Sequence, residues 1–168
     1  CAGLSTSDQY LALYNAIARG VRRTDPLATQ SYLAYYEALE PPAAVKPGPG
    51  IFLEFAPVRR DSAVPIGQAD SPANVEHARR LDALLEVFDV RETQVLEYWM
   101  DNSRFSGWKK PATAFPFHRE AIAADVRWYH DRGIRSMTSF ACFYDRKYVD
   151  QYGLPPIGDY GRILASVD

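Results

Sequence analysis

The sequence predicts an α/β fold, specifically half of a TIM-type (β/α)8 barrel with about four parallel strands and helices outside them. Segments with the period-two alternation of strands are separated by segments with helical spacing, an order typical of right-handed crossovers and a parallel sheet. Four strand candidates are present, half the number that closes a (β/α)8 barrel. The 168 residues fit a single domain over 1–168, since a chain of this length buries roughly 70% of its unfolded surface. If nothing completes the barrel, the same elements form an open sheet.

The chain begins with a predicted amphipathic helix. Ser5 is placed to cap it by accepting a hydrogen bond from the amide three residues on, and Asp8 suits the positive end of the helix dipole. The helix should end near Arg22 and Arg23, because basic residues favour its negative end and Pro26 prevents it from resuming.

Two strands are predicted next, over residues 28–37 and 51–57. Residues 40–50 between them hold four prolines and two glycines, so neither a helix nor a ladder of hydrogen bonds can run through them. This linker of about a dozen residues is just long enough for a parallel crossover. An antiparallel pairing of these two strands is the alternative.

A helix over residues 74–89, with Asn74 as its cap, leads into the strand on which the prediction is centred. Residues 94–101 alternate with a period of two, so Glu97, Trp99 and Asp101 share one side of that strand. A side that carries two carboxylates around an indole suits the mouth of a barrel lumen. A half-buried strand whose acids simply face water is the alternative.

The remainder of the chain continues the alternation of elements. Residues 101–116 form a long loop, a feature that is more often functional than idle in a compact domain. A third helix over 120–132 ends at Gly133, which serves as its left-handed cap. The fourth strand covers 134–143. An aromatic loop is predicted over 144–154 and a short closing helix over 159–167.

Composition and charge exclude several classes of protein. A net charge of -2 with scattered Lys and Arg gives no basic field for nucleic acid. No apolar run approaches the roughly 20 residues of a membrane helix. Cys1 and Cys142 form no metal or disulfide framework. We expect no metal and no cofactor. Because the chain starts at Cys1 rather than Met and shows no leader, we expect it to be processed or part of a longer protein.

Three acids are candidate catalytic residues: Glu54, Glu97 and Asp101. The working groups of a βα barrel lie at the carboxyl ends of its strands, and glycoside hydrolysis requires two carboxyl groups that flank the scissile bond. If the second and third strands pair, Glu54 and Glu97 should point into the same lumen. A buried Glu among apolar residues must otherwise reach water or form an ion pair, for which Arg59, Arg135 or another base in the lumen is available.

Aromatic and basic residues near the strand ends are candidate substrate contacts: Tyr36, Arg59, Trp99, Trp108 and Tyr144. The flat face of an aromatic ring can stack on the apolar face of a sugar. Arg59 and Arg60 could hold a sugar carboxylate, because a guanidinium group matches a carboxylate bidentately. In the alternative interpretation Trp99 and Trp108 only pack, and the arginine pair is solvated.

Several motifs resemble a family of bacterial proteins known as the domain of unknown function 4838. These are LSTSDQY at 4–10, NAIA at 15–18, YLAY at 32–35 followed by Pro41-Pro42, EYWMD at 97–101, and the segment 129–134. The resemblance implies a glycoside-hydrolase-like (β/α)8 barrel, similar in architecture to hexosaminidases and α-glucuronidases, of which this chain matches the C-terminal half. The resemblance also implies that the first strands of such a barrel, which in related hydrolases often bring the acid/base carboxylate, are not part of this chain. The family transfers no proven catalytic residue.

The sequence therefore favours a carbohydrate-active domain that binds or hydrolyses a polysaccharide through lumen carboxylates. A non-catalytic carbohydrate-binding or scaffolding domain with structural ion pairs is the alternative. Whether the chain is an enzyme depends on the parent protein, for which we expect an extracellular or periplasmic location. The partners expected are carbohydrate and either the remaining half of the barrel or a second copy of the chain, since open sheet edges invite pairing.

Overall fold

A computed structural model describes residues 3–167 and contains one sheet of four parallel strands. The strands are β1 (Gln30–Ala34), β2 (Ile51–Phe55), β3 (Gln94–Asp101) and β4 (Ser136–Cys142). They follow one another across the sheet in chain order, as consecutive strands of a (β/α)8 barrel do. The predicted α/β class is confirmed, and the arrangement is consistent with half of such a barrel. The parallel pairing of β1 with β2 also excludes the antiparallel alternative.

Six helices surround the sheet in the described part of the chain. They are α1 (Thr6–Val21), α2 (Pro72–Leu85), α3 (Asn102–Phe105), α4 (Arg119–Asp131), α5 (Arg146–Tyr152) and α6 (Ile157–Leu164). Short 3-10 turns occupy Tyr36–Ala38, Val90–Glu92 and Ala165–Val167. Within residues 3–167, no helix combines the length and the apolar character needed to span a membrane.

The main core lies between the helices and one face of the sheet. Its strand residues include Tyr32, Leu53, Phe55, Val95 and Trp99, and its helix residues include Leu11, Leu81, Leu84, Ile122 and Val126. The opposite face of the sheet, which we call the open face, carries a smaller cluster of Ala56, Val58 and Tyr98, with Leu33, Tyr35 and Leu96 packed against it. In a closed barrel the open face would line the lumen.

Asp8 joins the first helix to the loop that follows β1. The Ser5 hydroxyl accepts a hydrogen bond from the Asp8 amide (3.1 Å), which confirms the predicted cap. The Asp8 carboxylate accepts the Ser5 hydroxyl (2.6 Å) and the amides of Ala44 (2.9 Å) and Val45 (2.8 Å). These hydrogen bonds, the one from Ser5 foremost, lower the pKa of Asp8 to about 2.

The second helix begins earlier than predicted, at Pro72, with Ser71 as its cap. Asn74 is not the cap. It is buried, and its amide group donates to the carbonyls of Asp61 (2.9 Å) and Val64 (2.8 Å) and accepts the Asp61 amide (2.8 Å). Asn74 therefore holds the β2–α2 loop, a role that sequence spacing does not distinguish from capping.

Two predicted loops contain helices. Residues 144–154, predicted as a loop, include α5, which Asp145 caps by accepting the Tyr148 amide (3.1 Å). The predicted loop over residues 101–116 starts with the single turn of α3. The left-handed Gly133 after α4 is confirmed, with φ of 91°.

We expect Asp8→Ala to lower the free energy of unfolding by about 2 kcal/mol, because two loop amides lose their acceptor. Urea unfolding at pH 7 measures this loss. Since the folded-state pKa lies below that of an unfolded aspartate, the contribution of Asp8 is present above about pH 4 and is lost as the pH falls toward 2. Asp25→Ala, which removes one exposed hydrogen bond to Leu27, is the control. Equal effects of the two changes would contradict this role for Asp8.

Candidate functional site

A bulge in β3 decides which acids reach the open face. Glu97 pairs with Ser139 but Asp101 pairs with Cys142, so four steps along β3 match three steps along β4. Because side chains alternate along a strand, Asp101 lies on the side opposite to Glu97. The prediction that Glu97, Trp99 and Asp101 share one side is therefore wrong for Asp101, since period-two spacing does not reveal a bulge.

Asp101 lies at the carboxyl end of β3 and is 3% exposed. Its Oδ1 accepts hydrogen bonds from the amide (3.0 Å) and the hydroxyl of Ser103. Through the bond from the amide, Asp101 caps α3. Within residues 3–167 the structure records no hydrogen bond to Oδ2. Among the described residues, one carboxylate oxygen of Asp101 thus has no hydrogen-bond partner, at the edge where βα folds place their functional groups.

Glu54 and Glu97 lie on opposite faces of the sheet. Glu54 pairs with Leu33 on β1 and with Gln94 on β3, which places it on the open face. Glu97 is three residues beyond Gln94 and faces the helices. The prediction that both point into the same lumen is wrong, because a register shift of one residue exchanges the two faces and sequence does not fix the register.

The three predicted acids do not form a carboxyl pair. Asp101 is seven residues beyond the partner of Glu54, and because the bulge takes up one of them the separation is about 20 Å along the strand at 3.3 Å per residue. Glu97 is separated from both by the sheet. Glycoside hydrolysis needs two carboxyl groups roughly 5 to 9.5 Å apart on either side of the scissile bond, so a second carboxyl would have to come from another residue.

Glu97 belongs to a buried ion-pair cluster centred on Arg60. Arg60 is 2% exposed and Glu97 is fully buried. The Arg60 Nε lies 2.9 Å from Glu97 Oε1, and its Nη2 contacts the Asp125 carboxylate. The Nη1 donates to the carbonyls of Asp61 (3.2 Å) and Val64 (3.1 Å). Every nitrogen of this guanidinium group is therefore paired.

The two carboxylates of the cluster accept further hydrogen bonds. The Tyr129 hydroxyl donates to Glu97 (2.7 Å), while the Ile66 amide (2.6 Å) and the Trp99 indole (2.8 Å) donate to Asp125. The cluster joins the β2–α2 loop, β3 and α4. Glu97 thus forms the ion pair that was the alternative to catalysis, with Arg60 as the partner rather than Arg59 or Arg135.

One arginine faces two carboxylates in this cluster, so the charges do not balance. Desolvation by burial raises the pKa of Asp125 to about 6, with the charge of Glu97 adding to the rise and Arg60 opposing it. Because this value exceeds that of an unfolded aspartate, about 3.9, the folded state holds the proton more tightly. The stabilisation from this proton is fully present below about pH 4 and is lost as the pH rises through about 6.

A cleft of about 410 Å³ opens at the carboxyl edge between the β2–α2 loop and α3. Arg59, Tyr98, Arg104 and Phe105 contribute its basic and aromatic lining. The guanidinium carbon of Arg104 lies 6.0 Å from the centre of the Tyr98 ring. Burial raises the pKa of Tyr98, with the nearby Tyr35 adding to the rise, so its phenol keeps its proton at neutral pH.

Tyr36 lies beside Arg59, which lines this cleft. The Arg59 guanidinium carbon is 4.7 Å from the centre of the Tyr36 ring. A second, smaller cavity of about 250 Å³ is lined by both residues and shares Arg59 with the first. The structure therefore brings together two of the predicted contact residues.

The other predicted contacts lie elsewhere. Trp99 is 2% exposed and packs under the helices, so its ring is not available to a ligand on the open face. Trp108 is 70% exposed in the loop after α3. Tyr144 packs edge-on against Phe115 and Tyr148, with ring centres 5.7 and 5.0 Å apart. In the described part of the chain its buried hydroxyl has no hydrogen-bond partner.

Sequence reasoning missed Arg104 and Asp125. Arg104 has no signal in the sequence, because residues 101–116 are predicted as a loop and the short helix that carries Arg104 is not. Asp125 had a usable signal, since it lies on the apolar stripe of α4 beside Ile122, Val126 and Tyr129, where an unpaired acid is costly. Across residues 3–167, no cluster of three or more His, Cys, Asp or Glu side chains is arranged to hold a metal ion.

Arg60→Met should lower the free energy of unfolding by about 3 to 5 kcal/mol at pH 7, because it leaves two buried carboxylates without a counter-ion. The loss should be smaller at pH 5, because burial raises the pKa of Asp125 to about 6 and this carboxyl is then protonated. Urea unfolding at both pH values measures it. Arg59→Met, at the exposed neighbouring position, should change stability by less than about 1 kcal/mol. A loss that is independent of pH would contradict the buried-charge explanation.

Comparison with known proteins gives one family. The family described as "Domain of unknown function (DUF4838)" matches residues 2–151, which is most of the chain. No curated protein and no solved structure matches the chain. The chain belongs to the DUF4838 family.

Proposed function

We propose that this chain is a glycoside-hydrolase-like domain that binds a polysaccharide in the cleft at the carboxyl edge of its sheet. The observation that carries the proposal is the lining of that cleft by Tyr98 and Phe105 together with Arg59 and Arg104. Aromatic faces stack on the apolar faces of sugars, and guanidinium groups donate to sugar oxygens. The volume of about 410 Å³ lies within the usual range for small-ligand sites.

The position of the cleft supports the same proposal. It lies at the end of the parallel strands where βα folds bind their ligands. Phe105 is exposed and comes directly from α3, whose cap is Asp101. Trp108 follows in the same segment and offers a further exposed ring. A saccharide longer than the cleft would have this indole available for stacking.

Hydrolysis is the second candidate function, and the bulge in β3 favours it. The bulge directs Asp101 to the open face, and bulges next to active sites commonly redirect a side chain. Neither Glu54 nor Glu97 lies where it can act with Asp101. Catalysis therefore requires a second carboxyl group, which the rest of a complete barrel would supply.

The binding proposal predicts that Phe105→Ala weakens binding of the best polysaccharide in a panel about tenfold, which is about 1.4 kcal/mol, because a stacking face is lost. Affinity electrophoresis with neutral and acidic polysaccharides provides the measurement. Tyr152→Ala removes a ring of similar exposure on α5 and should leave affinity unchanged. If no polysaccharide in the panel is retained by the wild-type protein, the proposal is wrong.

The catalytic candidate predicts that Asp101→Asn lowers kcat at least 100-fold while binding changes less than about threefold. Asn also caps helices well, so α3 should persist. The assay is release of reducing sugar by the longest protein product that carries this chain. Glu54→Gln, on the open face but about 20 Å along the strand from Asp101, is the control and should retain activity. Equal losses in both variants would count against Asp101 as the acid.

A further inference from the structure

We infer that the cleft at the carboxyl edge selects acidic saccharides, and that Arg59 and Arg104 bind the carboxylate of a uronic acid residue. The inference rests on the proposed carbohydrate-binding function and names the class of sugar. It follows from two guanidinium groups that line the same cavity and from the way each is held.

Among the residues that the structure describes, no carboxylate pairs with Arg59 or Arg104. Across residues 3–167 the structure records no ion pair and no side-chain hydrogen bond for either residue. Their contacts are instead with tyrosine rings, Tyr36 for Arg59 at 4.7 Å and Tyr98 for Arg104 at 6.0 Å. A ring face fixes a guanidinium group through its π system and leaves the in-plane N–H donors free. Both groups are therefore positioned as donors without being neutralised.

The charge balance of the cleft favours an anion. Arg60 also lines it, but its guanidinium group is fully engaged by the buried carboxylates of Glu97 and Asp125. Asp61 is the acid in the lining, and its Oδ1 accepts the Ala63 amide (2.9 Å). The lining of the cleft therefore carries two guanidinium groups outside any ion pair, those of Arg59 and Arg104, and one carboxylate, that of Asp61.

The surroundings fit a charged sugar better than an isolated ion. The cleft includes Ala73 from the first turn of α2, and the N-terminal end of that 14-residue helix carries partial positive charge. Tyr98 and Phe105 add ring surface, which a sugar can use and a simple anion cannot. A carboxylate on a pyranose ring combines both requirements, since the planar fork of arginine matches a carboxylate bidentately.

The test compares oligosaccharides of pectate, alginate and glucuronoxylan with their carboxyl-reduced counterparts by isothermal titration calorimetry. We expect the acidic form of at least one to bind ten times more tightly or better than its reduced form. Its affinity should fall as the ionic strength rises. Arg59→Gln and Arg104→Gln should each remove most of this preference. Arg127→Gln, at an exposed position on α4, should leave it intact.

The outcomes separate this inference from the proposed function. If reduced and acidic forms bind equally, or if the preference survives both cleft variants, the inference is overturned while carbohydrate binding stands. Tighter binding of a sulfated oligosaccharide such as a carrageenan fragment than of any uronate would overturn the assignment of a carboxylate. If neither form of any glycan binds, the proposed function fails and the inference fails with it.

Discussion

The buried ion-pair cluster around Arg60 fixes the relation between the strands, the helices and the carboxyl edge. Its members come from the β2–α2 loop, β3 and α4, which are distant in sequence and meet only in the folded state. Burying an ion pair carries a desolvation cost that the attraction between the charges often only balances. The cluster acts mainly by destabilising non-native arrangements, because any packing that separates Arg60 from Glu97 or Asp125 leaves a buried charge unpaired. The cluster therefore specifies how the loop lies against α4 more than it adds net stability.

Two adjacent arginines illustrate how this constraint shapes the candidate site. Arg59 and Arg60 lie in the turn that follows β2, where Arg60 is directed inward to Glu97 and Asp125 and Arg59 is exposed. Arg59 then stacks on Tyr36 and borders the cleft beside Tyr98 and Arg104. The inner arginine holds the wall of the cleft in place and the outer one supplies its charge. The position of Arg59, which a ligand can reach, thus depends on its neighbour Arg60, which is buried.

The sequence predicted the elements better than their mutual placement. The strand Gln94–Asp101, the Ser5 cap and the Gly133 helix end were predictable because each depends on local spacing and local backbone chemistry. The sequence did not predict which side of the sheet each residue of β3 faces. Glu97 and Trp99 could lie on either side, and only the long-range pairing with Asp125 determines the side. The bulge that turns Asp101 to the open face depends on the pairing with β4. It does not change the alternation of polar and apolar residues in the sequence, so the sequence does not reveal it. Tyr36 and Arg59 were identified as contacts, but their neighbour Arg104 comes from an element that local patterns did not reveal.

The placement of the acids limits what this chain can do by itself. Glu97 is committed to Arg60, and Glu54 is level with Gln94 at the start of β3, so Asp101 is the predicted acid left at the carboxyl end of that strand, where barrel enzymes place their catalytic groups. A single carboxyl can orient a sugar or act as one partner of a pair, but it cannot provide both the acid and the base or nucleophile of glycoside hydrolysis. The open face, with Phe140 stacked on Tyr98 and 41% exposed, is the surface a complementary half would cover. The proposed binding therefore needs no carboxyl pair, whereas hydrolysis would require a second carboxylate on the same face as Asp101.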